Sequence, residues 1–352
     1  TNIEGAVGLE ILRRDLESAG YGVPWNVEID GDGDGNDWEK IANYCEAASD
    51  ATITPNPTTF NNGATVAPGP CAIAATATNT APMAIRTGDN TGVNLSATAG
   101  GADYLSIKST TVALNNTVRR WAWLRSDGTT NNGALAPDTF VPLTDRIIVI
   151  SPGSAATNSR LLIISAGAFS NTFNNTGGYV PTDASEVRLV YGVSDAAGAL
   201  RMPFNRADYF IKVPATPMPL QCAVNTGILY KGTVNHANGA ITELPILDCV
   251  ADMQVVFGLD NDNDGDFEPG VTGSTDFYTD TLGVMTATNI RNNVKEIRVY
   301  ILAHEGQQDA SYTSAATIYV GMAGLGRSFA LGTNRNYRWK VYTLVVRPNN
   351  LV

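Results

Sequence analysis

Behind a single helix-period segment at its N-terminus, this chain is written almost entirely in short β-branched runs, and that order excludes most architectures. Ile3, Val7, Leu9, Ile11, Leu12, Leu16 and Ala19 place apolar side chains mostly on one helical face, with Glu10, Arg13, Arg14 and Glu17 between them. Gly20 and Gly22 predict the helix end. Gly5 and Gly8 weaken its first turns by roughly 1 kcal/mol each relative to Ala, a cost that makes sense if packing holds them or if they continue a longer helix upstream. The predicted strands are Met83–Arg86, Tyr104–Lys108, Val118–Leu124, Arg146–Ile150, Arg160–Ile164, Glu186–Tyr191, Tyr209–Val213, Ile228–Lys231, Val250–Phe257, Lys295–Leu302, Thr317–Val320 and Arg338–Val346. Most are bounded by Gly, Pro, Asn or Asp. The stretch between Val190 and Tyr209 reads as a hairpin, and 286–293 as one short helical turn. Strands do not alternate regularly with helices, so an α+β fold on a mainly antiparallel sheet is expected rather than a doubly wound parallel sheet.

Composition narrows the setting. The 352 residues can bury a sizeable core, and a net charge of −11 argues against a basic nucleic-acid or membrane surface. No apolar run reaches the roughly 18 residues of a spanning helix, and no signal-peptide pattern is present. The chain reads as a mature or truncated form whose targeting segment is missing. The four cysteines fall into two local pairs, Cys45 with Cys71 and Cys222 with Cys249, separated by 26 and 27 residues. No CxxC is present, and two histidines cannot complete ordinary zinc sites. Two disulfides in an oxidising compartment are the preferred reading; free thiols and the crossed pairings stay open.

Two loops carry the pattern of a hard-cation site. In DMQVVFGLDNDNDGDFEPG, a strand runs into Asp260, Asp262, Asp264 and Asp266 at every second position, with Gly265 at the sharp turn. Such alternation aims several oxygen ligands inward, as calcium requires. The bidentate Glu expected six residues beyond the Gly is replaced by Val271, and Glu268 is a candidate substitute. The earlier DGDGDG loop offers Asp30, Asp32 and Asp34 before Gly35, with Asn36 and Asp37 or Glu39 beyond and Ile41 where the Glu would stand. One or two weak calcium sites are expected, with Kd roughly 10⁻⁴ to 10⁻³ M as in extracellular modules. The competing reading is a solvated acidic turn.

Catalytic signals are thin. The chain contains no GxSxG, P-loop or HExxH, so a non-enzymatic role is expected, although a glycosidase carboxylate pair has no sequence signature to exclude. His236 lies in a turn-like setting, and His304 beside Glu305 reads as a surface pair. Trp121 and Trp123 share one face of a strand; a buried core strand is preferred over a surface that stacks on sugar or on a partner.

Several segments, taken in order, resemble the PilW-like minor pilins of type IV pili. RRDLESAGYG (Arg13–Gly22) resembles the close of that family's N-terminal helix. TGILYKG (Thr226–Gly232), DMQVVFGLDNDNDGD (Asp252–Asp266), VKEIRVYILA (Val294–Ala303) and YRWKVYTLVVRPNNL (Tyr337–Leu351) resemble its later strands and aspartate loop. The resemblance implies a pilin-like fold, a long N-terminal helix packed on a mainly antiparallel sheet with an extended β-rich loop region. The implied divisions are 1–22 as the C-terminal half of a pilin helix, 23–180 as an enlarged loop and β region, and 181–352 as the C-terminal sheet. It further implies a non-enzymatic subunit at or near the pilus tip that initiates assembly with other minor pilins and the major pilin. Such a subunit is extracellular, with an inner-membrane pool before assembly and membrane contact only through the missing segment. The alternatives are a type II secretion pseudopilin and a calcium-dependent secreted adhesin that binds surface glycan through residues 45–180.

Overall fold

The computed structural model describes residues 2–27, 38, 41, 44–64, 66–71, 80–96, 100–131, 140–153, 160–174 and 176–351. Seventeen strands and two short α-helices are found among them. The expected α+β fold with a long N-terminal helix is therefore corrected: the molecule is mainly β, in two large sheets. Its N-terminal helix, Asn2–Glu17, has 16 residues, under five turns. Strand pairing rather than helix packing carries the architecture, because β-branched runs dominate after residue 80 and each needs a paired neighbour.

The larger sheet runs, edge to edge, Arg338–Val346, Val294–Glu305, Ile241–Leu259, Gly227–Val234, Asn205–Lys212, Tyr104–Ser109 and Ile85–Gly88, with Phe277–Thr279 added on Ile241–Leu259. All its pairings are antiparallel. From Val250 onward the central strand Ile241–Leu259 is buried on both faces. Met253, Val255, Phe257 and Leu259 join Ile297, Val299 and Ile301 in the core beneath the helix, with Leu9, Leu12 and Leu16. On the opposite face, Val256, Tyr300 and Leu302 are covered by Val320 and Phe329 of the hairpin Thr317–Met322 and Leu325–Ala330. Arg327 of that hairpin donates to Asp252 at 2.8 and 2.9 Å.

The helix is seated by its small residues. Gly5, Gly8, Leu9, Leu12, Asp15 and Leu16 form its buried face, whereas Val7 is 57% exposed and Ile11 is half-buried. A Cβ on Gly8 would lie 2.0 Å from the carbonyl oxygen of Ile246, so only glycine permits this approach. The buried Asp15 accepts from Tyr209 Oη at 2.7 Å and pairs with Lys231 Nζ at 2.5 Å. Tyr209 and Lys231 are opposite each other on neighbouring strands, so one carboxylate bridges helix and sheet.

The smaller sheet runs Asn26–Val27, Leu161–Leu162, Arg146–Ser151, Val187–Ser194, Trp121–Arg125 and Thr130–Asn131, with Asn171–Thr172 beside Arg146–Ser151. One face packs Ala122, Leu124, Ile147, Val149 and Val190 under Phe140 and Tyr179. Its other face places Ile148, Ile150 and Val193 against Tyr44, Met202, Phe204 and Val234, which joins the two sheets. The hairpin expected between Val190 and Tyr209 is absent: Val187–Ser194 and Asn205–Lys212 lie in different sheets, and the chain crosses between them. The sequence divisions also cut across the sheets. Ile85–Gly88 and Tyr104–Ser109 complete the larger sheet, while Val187–Ser194 lies in the smaller one.

A fully buried ionic cluster fixes residues 44–63 on the larger sheet. Glu46 pairs with Lys108 Nζ at 2.8 Å and Arg206 Nη1 at 3.1 Å, and Arg206 pairs with Asp208 at 2.7 Å. Glu46 Oε1 also accepts from the amides of Asn62 and Gly63 and from Tyr44 Oη. Burial pushes the Glu46 carboxyl up, but Lys108 and Arg206 beside it outweigh that and hold it at about 2.

Candidate metal centre

The aspartate loop begins where the central strand stops. Asp260 follows Leu259 directly, and its amide donates to the Asn293 carbonyl, which anchors the loop to the end of the second helix, Ala287–Asn293. Asn263 at φ +57 and Gly265 at φ +98 reverse the backbone. That turn folds alternate side chains together, so Asp260, Asp262 and Asp264 each offer a carboxylate oxygen within 4.8 Å of the others. Asp262 and Asp264 are exposed, whereas Asp260 is fully buried.

The partners of the three are unequal. Asp260 Oδ2 accepts from the Gly265 amide at 3.1 Å and lies 3.6 Å from Lys295 Nζ. Asp260 Oδ1 is buried and has no hydrogen-bond partner. Asp262 Oδ2 accepts from Thr275 N, and Asp264 Oδ1 from Asp266 N. Among the described residues no ion pair other than that of Lys295 reaches the three, so the cluster stays anionic.

Asp266 and Glu268 of the predicted ligand set lie outside this cluster. The Glu268 amide instead donates to Asp276 Oδ2 at 2.7 Å, and the Asn261 amide to Asp276 Oδ1 at 2.9 Å. Asp276 thus stitches the two limbs of the loop together. Burial raises its carboxyl, but those amide donors and Ser274 leave it below the ordinary value. Sequence reasoning passed over Asp276 because it lies ten residues beyond the aspartate run, with no spacing signal. The earlier set, Asp30, Asp32, Asp34, Asn36 and Glu39, lies outside the described residues.

The other singled-out residues divide clearly. Disulfides join Cys45 to Cys71 and Cys222 to Cys249. His304 is not a surface pair: it is buried between Tyr337 and Trp339, and its Nε2 accepts from the Ala223 amide at 2.8 Å. Burial lowers its pKa to about 4; His236, buried near Arg201, falls to about 4 as well. Both are therefore neutral structural acceptors near pH 7. Trp121 and Trp123 depart from the core-strand expectation. Ala122 and Leu124 point inward, Trp121 is half-buried, and Trp123 is 39% exposed. The two rings meet edge to face at 5.7 Å. A groove of about 970 Å³ runs beside the helix, lined by Val7, Ile11, Leu247, His304 and Tyr342 among others. No helix among the described residues is long and apolar enough to cross a membrane.

The chain matches no curated protein and no solved structure. Residues 208–350 match the family model described as type IV pilus-assembly protein W. That span takes in the larger sheet from Asp208 onward, the hairpin that covers it and the whole aspartate loop. The motifs from Thr226 to Leu351 fall in this span, the last running one residue past it, whereas the helix end Arg13–Gly22 lies outside. The C-terminal part of the chain is thus related to a type IV pilus-assembly family.

Proposed function

We propose that the chain is a structural, non-enzymatic minor pilin that helps initiate type IV pilus assembly and sits at or near the pilus tip. Its partners in this reading are other minor pilins and the major pilin, and its place is the cell surface. The observation that carries the reading is the family match over residues 208–350. Two disulfides accord with export to an oxidising compartment, and both described histidines serve as buried acceptors rather than as exposed acid–base groups.

Deletion of the gene is expected to reduce surface pili sharply, with recovery on complementation. Antibody against the chain is expected to label pilus ends. Normal pilus numbers in the deletion strain, together with no label on sheared pili, would refute the assignment. A role in adhesion to surface glycan is favoured by one specific observation, the outward Trp121 and Trp123 pair. Binding on a glycan array that survives the double change Trp121→Ala with Trp123→Ala would remove this pair from the adhesive surface.

A further inference from the structure

We propose that the aspartate loop after the central strand binds one hard divalent cation of the calcium type through Asp260, Asp262 and Asp264. The inference is independent of the pilus reading and rests on two observations. The first is the convergence of three carboxylates, with ligand oxygens within 4.8 Å of one another. Like charges at that spacing repel unless a cation lies between them. The second is Asp260 Oδ1, a carboxylate oxygen on a fully buried residue with no hydrogen-bond partner. Buried polar atoms are nearly always satisfied, so this oxygen calls for a bound water or a cation, and the two further carboxylates beside it favour the cation.

The surroundings fit that ligand. Lys295 stands on the other oxygen of Asp260, Oδ2, and leaves Oδ1 free. One ammonium does not balance three carboxylates, so the site retains negative charge for a divalent ion. The donors are all oxygen, which selects calcium or magnesium over softer metals. Three carboxylates on an irregular loop, with two of them exposed to water, suit calcium, which accepts six to eight oxygens in flexible geometry, better than magnesium. Because Asp260 directly continues the central strand and is tied to Asn293, the ion would fasten the loop to the sheet rather than to a flexible tip.

The test uses the whole chain after chelator treatment, with calcium as the probe. Calorimetry should show saturable binding in the range of roughly 10⁻⁴ to 10⁻³ M. Peptide-resolved hydrogen exchange should show slower exchange over 260–276 when calcium is added, and a smaller effect with magnesium at equal concentration. The double change Asp262→Asn with Asp264→Asn alters only exposed side chains, so the fold should persist by circular dichroism. It should weaken the protection of 260–276 by roughly tenfold or more in calcium concentration. Unchanged exchange over 260–276 at millimolar calcium would overturn the proposal, even if heat is released elsewhere. Equal protection in the double variant would overturn it as well.

Discussion

A methyl group on Gly8 would meet the Ile246 carbonyl oxygen at 2.0 Å, backbone against side chain, where neither partner can rotate away. At an exposed helical position, Gly→Ala stabilises by roughly 1 kcal/mol. Here the sign reverses. Gly8→Ala is expected to lower the unfolding free energy by about 1–3 kcal/mol, the usual cost of overpacking, and urea denaturation would read it. A gain in stability would mean that the helix can lift from the strand at no cost. The sequence showed the two glycines as a local penalty, open to packing or to a longer helix upstream; for Gly8 the reason lies at Ile246, more than two hundred residues away. Asp260 is comparable. Its place in an alternating run was legible, whereas its burial and its unpartnered oxygen belong to the folded neighbourhood. Alternation also put Trp121 and Trp123 on one face, but could not say that this face turns outward.

At the scale of elements, the central strand is the instructive case. Its second half was readable as a strand over Val250–Phe257, an apolar-rich segment broken only by Asp252 and Gln254, and it is covered on both faces. Its first half is not among the strands read from sequence, and Pro245 and Asp248 interrupt the strand pattern there. Pro245 is tolerated there because that half pairs only with Gly227–Val234; the pairing to Val294–Glu305 starts at Val250. Between the halves the register shifts, and Cys249 takes a positive φ of 55°. The disulfide to Cys222 fastens the 219–226 loop at this irregular point. Replacing Cys222 and Cys249 together by serine is expected to cost about 3 kcal/mol, the chain-entropy value for a loop of this size. The loss should appear in denaturant midpoint without loss of sheet signal. An unchanged midpoint would show that the strand pairing alone holds the irregular segment. The short second helix was legible from sequence, and a capping box of Thr286 and Asn289 explains why seven residues suffice.

The whole molecule depends on a buried ionic cluster, which holds residues 44–63 on the larger sheet and which no local pattern announces. Glu46, Lys108 and Arg206 are far apart in the chain and fully buried together. Glu46→Gln leaves two buried cations without their shared carboxylate and is expected to cost about 3–5 kcal/mol near neutral pH. The folded-state carboxyl is held at about 2, below its ordinary 4.5, so the unfolded chain takes up the proton first as pH falls. The advantage of the wild type over Glu46→Gln should therefore be complete above pH 4.5 and shrink as pH falls toward 2. Paired denaturation curves across that range would check it; a difference that does not change with pH would exclude the charge as its source. The family match adds a boundary at this scale: it covers the larger sheet from Asp208, while the smaller sheet falls before residue 208.

By itself the sequence determined where the helix ends, most of the strand positions, the local spacing of the cysteines and the aspartate alternation. Each of these is written in neighbouring residues, through periodicity, glycine punctuation or spacing. The tertiary structure alone decided that the strands divide between two sheets and that the helix is a minor element on a mainly β molecule. It also decided which carboxylates are paired, buried or left with a free oxygen. Those outcomes depend on which distant surfaces exclude water from one another, and sheet partnership and burial arise only when segments far apart in the chain meet.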